Sequence, residues 1–300
     1  MEENELSRPA APIRKLKRHF FLAVIGIALL LALLGQMLGE ILLGVITKPI
    51  PDISGGVAFL FMHYLSFIGT DVLVLIYCAV CEKAVFRSFF PKSRGGGRGN
   101  TLRNFALGLL FGFLMNGICI LLAWLHGDIK LYAGRFEVLY LIFALVCVCV
   151  QSGAEELVTR GYIMGALRER YPVWAAIAGN VLFFAVLHLA NPGITVLSFL
   201  NIVFIGVALS LVMVYFDSLW MCIAIHTAWN FTQNFLFGLP NSGIVSESSF
   251  LHLDATADSL FYDVAFGVEG TLTAVIVIGL FAVGVALYAR KKNPAGAQLR

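Results

Sequence analysis

Charge is what this sequence has least of. Asp, Glu, Lys and Arg make up 13% of its 300 residues, against 59% hydrophobic residues, and the mean hydropathy is +0.87. A soluble domain carries roughly 25% charged residues. The shortage excludes an ordinary soluble enzyme, and no polar stretch is longer than a loop. Several sequence signatures are missing as well. There is no second CxxC beside Cys78 and Cys81, and no thioredoxin-like βαβ pattern around them, so neither a zinc ribbon nor a redox site is indicated. There is no HExxH, which removes the usual zincin arrangement, and no GxSxG elbow for a serine nucleophile. Internal repeats are absent. The six cysteines all fall in or beside apolar runs, where free thiols are the default.

What is present is a series of long apolar runs. Stretches of 18 or more such residues are the signature of spanning helices. The chain therefore reads as all-α: a polytopic membrane helical bundle of about eight transmembrane helices. The first run, Phe20 to about Thr47, follows a basic tail ending in Arg14-Lys15-Leu16-Lys17-Arg18-His19. It is too long for a signal-peptide core and reads as an uncleaved span. Gln36 and Glu40, one turn apart near its far end, suggest an interfacial position. The second span runs from about Gly55 to Val80 and contains Asp71, which we assign a structural role. The third runs from Phe105 to Leu125, the fourth from near Glu137 to the turn at Arg168–Pro172, and the fifth from Val173 to Ala190. Asn191-Pro192-Gly193 then breaks the chain. The sixth span is Ile194–Tyr215, the seventh Leu219–Phe237 and the eighth Gly267–Ala289.

The segments group as a cytoplasmic basic tail (1–19), three N-terminal spans (20–136) with a basic loop at 82–104, a core (137–237), a loop and last span (238–289), and a tail (290–300). Of the 21 Lys and Arg residues, 17 fall on the side that holds both termini. The opposite side has Lys48, Lys130 and Arg135, and its loop 238–266 is acidic with no base. The positive-inside rule then places both termini in the cytoplasm. The basic loop around Gly95-Gly96-Gly97 suits an anionic inner leaflet. Nucleic acid is not a partner, because no aromatic platform accompanies it.

Against this apolar background one stretch stands out: Gln151-Ser152-Gly153-Ala154-Glu155-Glu156-Leu157-Val158-Thr159-Arg160. A charge at membrane depth costs at least about 2.5–3.5 kcal/mol on insertion scales, so it usually faces a protein interior and usually has a function. Glu156 and Arg160, four apart on a helix, can pair. Glu155 lies about 100° further round and lacks that partner. The bland reading of the group is a buried structural ion pair. Gly161 and Gly165 follow as GxxxG, which permits close helix contact. The fifth span carries His188 near its end, and the seventh carries His226 and Asn230 one turn apart. Two histidines on two helices, with a Glu-Glu on a third, point to one shared site. Counting about 1.5 Å of rise per residue from the cytoplasmic ends, the depths permit a cavity open to the cytoplasm. A carboxylate can act there as a base towards water, a histidine can move its proton, and side-chain N–H groups can hold an oxyanion. Zinc is the alternative, with Glu155 or Glu156, His188 and His226 as ligands. The metal-free route is favoured, because no carboxylate–histidine pair sits on one helix to preform a metal face.

Glu155-Glu156-x-x-x-Arg160, Phe184-x-x-x-His188 and His226-x-x-x-Asn230, in this order on three membrane helices, resemble the motifs of the CPBP intramembrane protease family. That family includes the CAAX prenyl endopeptidases and the bacterial Abi-type proteins. The resemblance covers about residues 137–237. It implies an eight-helix bundle with a site opening to the cytoplasm and a peptidase acting near the membrane surface. By this analogy Glu155 activates water with help from His188, Glu156 and Arg160 orient the site, and His226 with Asn230 holds the oxyanion. The expected partners are the lipid bilayer and a membrane-associated peptide or protein, which prenylation would fit but these residues do not specify. Two other functions remain open: a catalytically silent immunity or scaffold protein of the same family, and a proton-coupled transporter. An intact set of ionisable residues argues against the first, and the missing inverted repeats argue against the second.

Overall fold

In lipid every backbone N–H and C=O must be satisfied within its own segment, so apolar runs of this length fold as helices. The computed structural model describes residues 20–48, 56–134, 137–246, 248–255 and 257–292. The basic N-terminal tail, the turn at 49–55, Arg135, Glu247 and the tail beyond 292 lie outside the described residues. The helices are α1 (Phe21–Thr47), α2 (Gly56–His63), α3 (Ile68–Cys81), α4 (Lys83–Ser88), α5 (Leu102–His126), α6 (Val138–Glu156), α7 (Met164–Arg168), α8 (Val173–Leu187), α9 (Val196–Phe216), α10 (Leu219–Phe231) and α11 (Leu272–Lys292). A short 3-10 turn joins α2 to α3. A π-helical stretch, Leu157–Ile163, joins α6 to α7, and another, Thr232–Leu236, extends α10.

Seven of these stretches are long and apolar enough to cross a membrane: α1, α2–α3, α5, α6–α7, α8 with its terminal turn, α9 and α11. The expected seventh span, α10 with its extension, falls short of that class for a physical reason. It carries Thr227, Asn230, Thr232, Gln233 and Asn234, all buried, and lies inside the bundle rather than against lipid. Two short antiparallel pairs break the all-helical pattern, β1 (Lys92–Ser93) with β2 (Gly99–Asn100), and β3 (Ile129–Ala133) with β4 (Leu251–Ala255).

Small residues set the helix approaches. A Cβ added at Gly108 would lie 2.6 Å from the Met221 carbonyl oxygen, and one at Gly112 would lie 2.8 Å from Ala228 Cβ. These two glycines of α5 form the groove in which α10 sits. Gly35 and Gly39 of α1 press against Ser66, Gly69 and Thr70 in the same way. Gly161 and Gly165, the expected close-contact pair, face Phe89 and Val85 in and beside α4.

Helix ends follow local chemistry. Thr101 caps α5 by accepting from the Asn104 amide, and α5 stops at Gly127 with φ 93°. Thr195 and Ser198 form a capping box at α9. Alternation of direction puts the start of α1, residues 82–101, the turn 169–172, Asp217–Ser218 and the end of α11 on one face. An Arg94–Asp217 ion pair and a bond from the Trp220 indole to the Phe89 carbonyl tie this basic face together. The β3–β4 pair and residues 238–271 make up the opposite face.

Candidate active site

The centre of the bundle holds the expected ion pair. Arg160 Nη1 donates to Glu156 Oε1 at 2.8 Å, and both side chains are fully buried. Arg160 also donates to the Gly206 carbonyl at 3.1 Å and to Thr159 Oγ1 at 3.1 Å, and lies 4.9 Å from the centre of the Phe184 ring. His226 is the next link. Its Nδ1 is 3.0 Å from the same Glu156 oxygen, which leaves Nε2 facing Glu155 Oε2 at 3.6 Å. A carboxylate accepting at Nδ1 fixes the imidazole tautomer and the ring's orientation.

Glu155 stands on the cavity wall, half-buried, where Glu156 is sealed in. Gln151, one turn earlier on α6, donates from Nε2 to Glu155 Oε1 at 2.6 Å, and its own Oε1 accepts from Asn230 Nδ2 at 3.2 Å. Glu155 Oε2 has no hydrogen-bond partner among the described residues. Across the cavity, His188 Nδ1 is 2.8 Å from the Phe184 carbonyl, which leaves its Nε2 for the cavity. Glu155, Glu156, Arg160, His226 and Asn230 thus form one bonded group, and His188 reaches it as a neighbour through the Phe184 ring, 4.3 Å away. Asn230 is bonded to Gln151 rather than acting beside His226 as an equal pair of donors.

The cavity has a volume of about 730 Å³. Glu155, His188, His226 and Asn230 line its depth, and Gln36, Glu40 and His63 line its outer part. Gln36 is therefore not merely interfacial: it bonds Glu40 at 3.0 Å and Ser66 at 2.9 Å. Asp71 is absent from the lining. It packs from α3 against Gly153 of α6, where an added Cβ would be 3.7 Å from Asp71 Oδ1. Cys78 is buried and Cys81 exposed, and all six cysteines are free.

Two site residues escape the sequence motifs. Gln151 has a visible signal, since it precedes Glu155 by one turn on the same helix face. Glu269 has none. It lies far along the chain, just before α11, yet it accepts from the Trp229 indole at 2.8 Å and from the Ser242 amide and hydroxyl at 2.7 and 2.8 Å. It lines a smaller adjoining cavity with His188 and His226.

Among the described residues no three of His, Cys, Asp and Glu are placed as a metal-holding group. Glu156, one of the expected zinc ligands, is engaged by Arg160 and His226.

The cavity reaches towards the end of the bundle opposite the basic face. Asn191, Asn241, Ser242 and Ile244 line it there, and none of residues 82–104 or 168–172 does. Depth counted from helix ends permits either mouth, but His188 sits at the last turn of α8, on the far side.

These features define a class first: a polytopic helical membrane protein built around an internal ionisable site. Residues 136–232 match the Rce1-like family, described as type II CAAX prenyl endopeptidases. Over that segment, about a third of the chain, the sequence is similar to the CAAX-type intramembrane proteases. The match runs from α6 to the start of the α10 extension and takes in every residue of the bonded group. No curated protein matches the chain.

Proposed function

We propose that the protein is a glutamate-dependent intramembrane endopeptidase that cuts a peptide bond of a membrane-associated chain. The observation that carries this reading is the unequal treatment of two adjacent carboxylates. Glu156 is fully buried between Arg160 and His226, whereas Glu155 lines the cavity and keeps 19% of its side chain exposed. One holds geometry and the other is available for a proton.

In this mechanism Glu155 takes a proton from a water held in the cavity against its carboxylate, and the hydroxide attacks the scissile carbonyl carbon. The carbonyl oxygen becomes an oxyanion. Asn230 uses one amide hydrogen on Gln151 and has the other for that oxygen, and the Nε2 of His188 lies on the opposite wall. Protonated Glu155 then returns its proton to the leaving amine, with His226 Nε2 beside it to relay. The C–N bond breaks, and an acid and an amine are released. Such donors stabilise charge best in a dry site where they are already oriented. The route proposed needs no metal. Neither a silent scaffold nor a transporter gains support from the geometry.

The test begins with comparative membrane proteomics of a strain carrying Glu155→Ala against wild type, which identifies a chain that accumulates uncut. A peptide from that chain is then offered to purified protein in detergent. Cleavage by wild type and its loss in Glu155→Gln are expected; cleavage near the wild-type rate in the variant would reject Glu155 as the base.

A further inference from the structure

We propose that the cavity is entered from the extracytoplasmic side, through a cleft between α1 and α8 in the outer half of the bilayer. Its substrate class is then a membrane-anchored peptide segment presented from that side. The orientation stands on geometry and charge. The substrate class rests in addition on the peptidase reading.

Charge fixes the outside. Lys83, Arg87, Lys92, Arg94, Arg98, Arg103, Arg168, Arg170, Arg290 and Lys291 gather on one face of the bundle, and Lys48 and Lys130 are the described bases at the other. Short loops rich in Lys and Arg stay in the cytoplasm. The face that bears the cavity mouth instead carries Glu40, Asp128, Glu137, Asp254, Asp258 and Asp263.

The walls define the route. At the basic end α1 and α8 are closed on each other. The Phe21 amide donates to the Tyr171 hydroxyl at 3.2 Å, and a Cβ on Gly179 of α8 would be 2.8 Å from the Phe21 ring. Towards the other end the cavity lies between them, with Ala32, Gln36 and Glu40 on one wall and Phe184, Leu187 and His188 on the other. The helices form a V whose open arms point away from the cytoplasm. Residues 239–244 close the top and are held from beneath. Asn234 donates to the carbonyls of Leu239 and Ile244 at 3.0 Å each, Gln233 donates to that of Pro240, and Glu269 grips Ser242. This roof is a fixed wall, so entry is sideways past Glu40 and His63, both exposed.

The cleft suits a chain arriving from lipid: an apolar stretch along Leu187 and Phe184, with the bond to be cut beside Glu155. A soluble peptide on the cytoplasmic side would meet the closed end. A cytoplasmic prenylated C-terminus is accordingly a poor fit.

Two measurements decide it. Variants with one added cysteine, Glu40→Cys, His63→Cys and Gly96→Cys, each made with the exposed Cys81 changed to Ser and compared with Cys81→Ser alone, are treated with a membrane-impermeant maleimide in intact cells and in inverted vesicles. The expected result is labelling of positions 40 and 63 in intact cells and of position 96 only in inverted vesicles. Labelling of 40 and 63 only in inverted vesicles overturns the orientation, whatever the activity. The accumulating chain found by proteomics, as a peptide keeping its apolar anchor, is then added to right-side-out and inside-out vesicles. Cleavage confined to right-side-out vesicles supports the substrate class, and cleavage confined to inside-out vesicles overturns it. If neither vesicle type cuts a peptide that the detergent-purified protein does cut, the cleft route is wrong. Failure in detergent as well counts against the peptidase reading and leaves the orientation to the labelling.

Discussion

Replacing Glu156 with Gln should unfold the bundle far more readily than replacing Glu155, although the two residues are neighbours. Glu156 and Arg160 are both fully buried and bonded at 2.8 Å. Without the carboxylate, Arg160 keeps only neutral contacts: the Gly206 carbonyl, the Thr159 hydroxyl and the Phe184 face. An uncompensated buried charge of this kind costs about 3–5 kcal/mol. At about 1.4 kcal/mol per tenfold, that is a loss of roughly two to almost four powers of ten in the folded-to-unfolded ratio. His226 also loses a charge-assisted bond, since its Nδ1 would face an amide. At position 155 the arithmetic differs. The side chain is 19% exposed, and a Gln oxygen still accepts from Gln151. The change trades a charge-assisted bond for a neutral one and should cost about 1 kcal/mol or less. Its effect is on rate, about 100-fold or more if Glu155 is the base. Thermal melts of both variants in one detergent give the order, and a double variant, Glu156→Gln with Arg160→Met, gives the cause. Removing the stranded charge should recover much of the loss, because no uncompensated buried charge then remains. A Glu155→Gln protein that melts below Glu156→Gln would reverse the assignment. A double variant no more stable than the single one would refute the stranded-charge explanation.

Three other outcomes can be checked with the same preparation. Asn230→Ala should lower the cleavage rate by about 100- to 1000-fold if it is an oxyanion donor, with a smaller change in melting temperature; an unchanged rate would remove it from the mechanism. Gly112→Ala inserts a methyl group between α5 and α10, a site with no spare space, and should cost about 1–3 kcal/mol and lower activity together, read from melts and turnover. Elemental analysis of purified active protein should find no zinc on which activity depends, and one tightly held zinc per chain, whose removal abolishes activity and whose return restores it, would replace the proposed route.

Much of the fold was legible because lipid leaves the backbone few choices. Apolar length located seven of the spans, and the asymmetry of bases gave their directions. The remaining one, α10, was read as an ordinary span, the seventh, although His226, Asn230, Gln233 and Asn234 make it more polar than the others. Its interior position depends on Gly108 and Gly112 of α5, more than a hundred residues earlier. Helical periodicity describes one helix at a time, so a groove between two helices leaves no such mark. The paired strands β3 and β4 were missed for a related reason. Their register joins Lys130 to Asp254 across the three-dimensional structure, and each strand alone is only five residues long.

The site divides along the same line. Contacts within one turn were readable: Glu156 with Arg160, and Gln151 with Glu155. Contacts between helices were readable only as types of residue, so His226 could be placed in the site but not between the two glutamates. The side of entry was not readable, by the same limit. Depth along a helix says how far a residue lies from one end, and says nothing of which neighbours close that end. Phe21 against Gly179 closes the basic end, and Glu269 holds Ser242 over the other while leaving the cleft between α1 and α8 open. On the proposed reading, those long-range contacts rather than the three motifs would decide which peptides reach Glu155. Proteins sharing the three motifs can therefore differ in substrate through the helices that carry none of them.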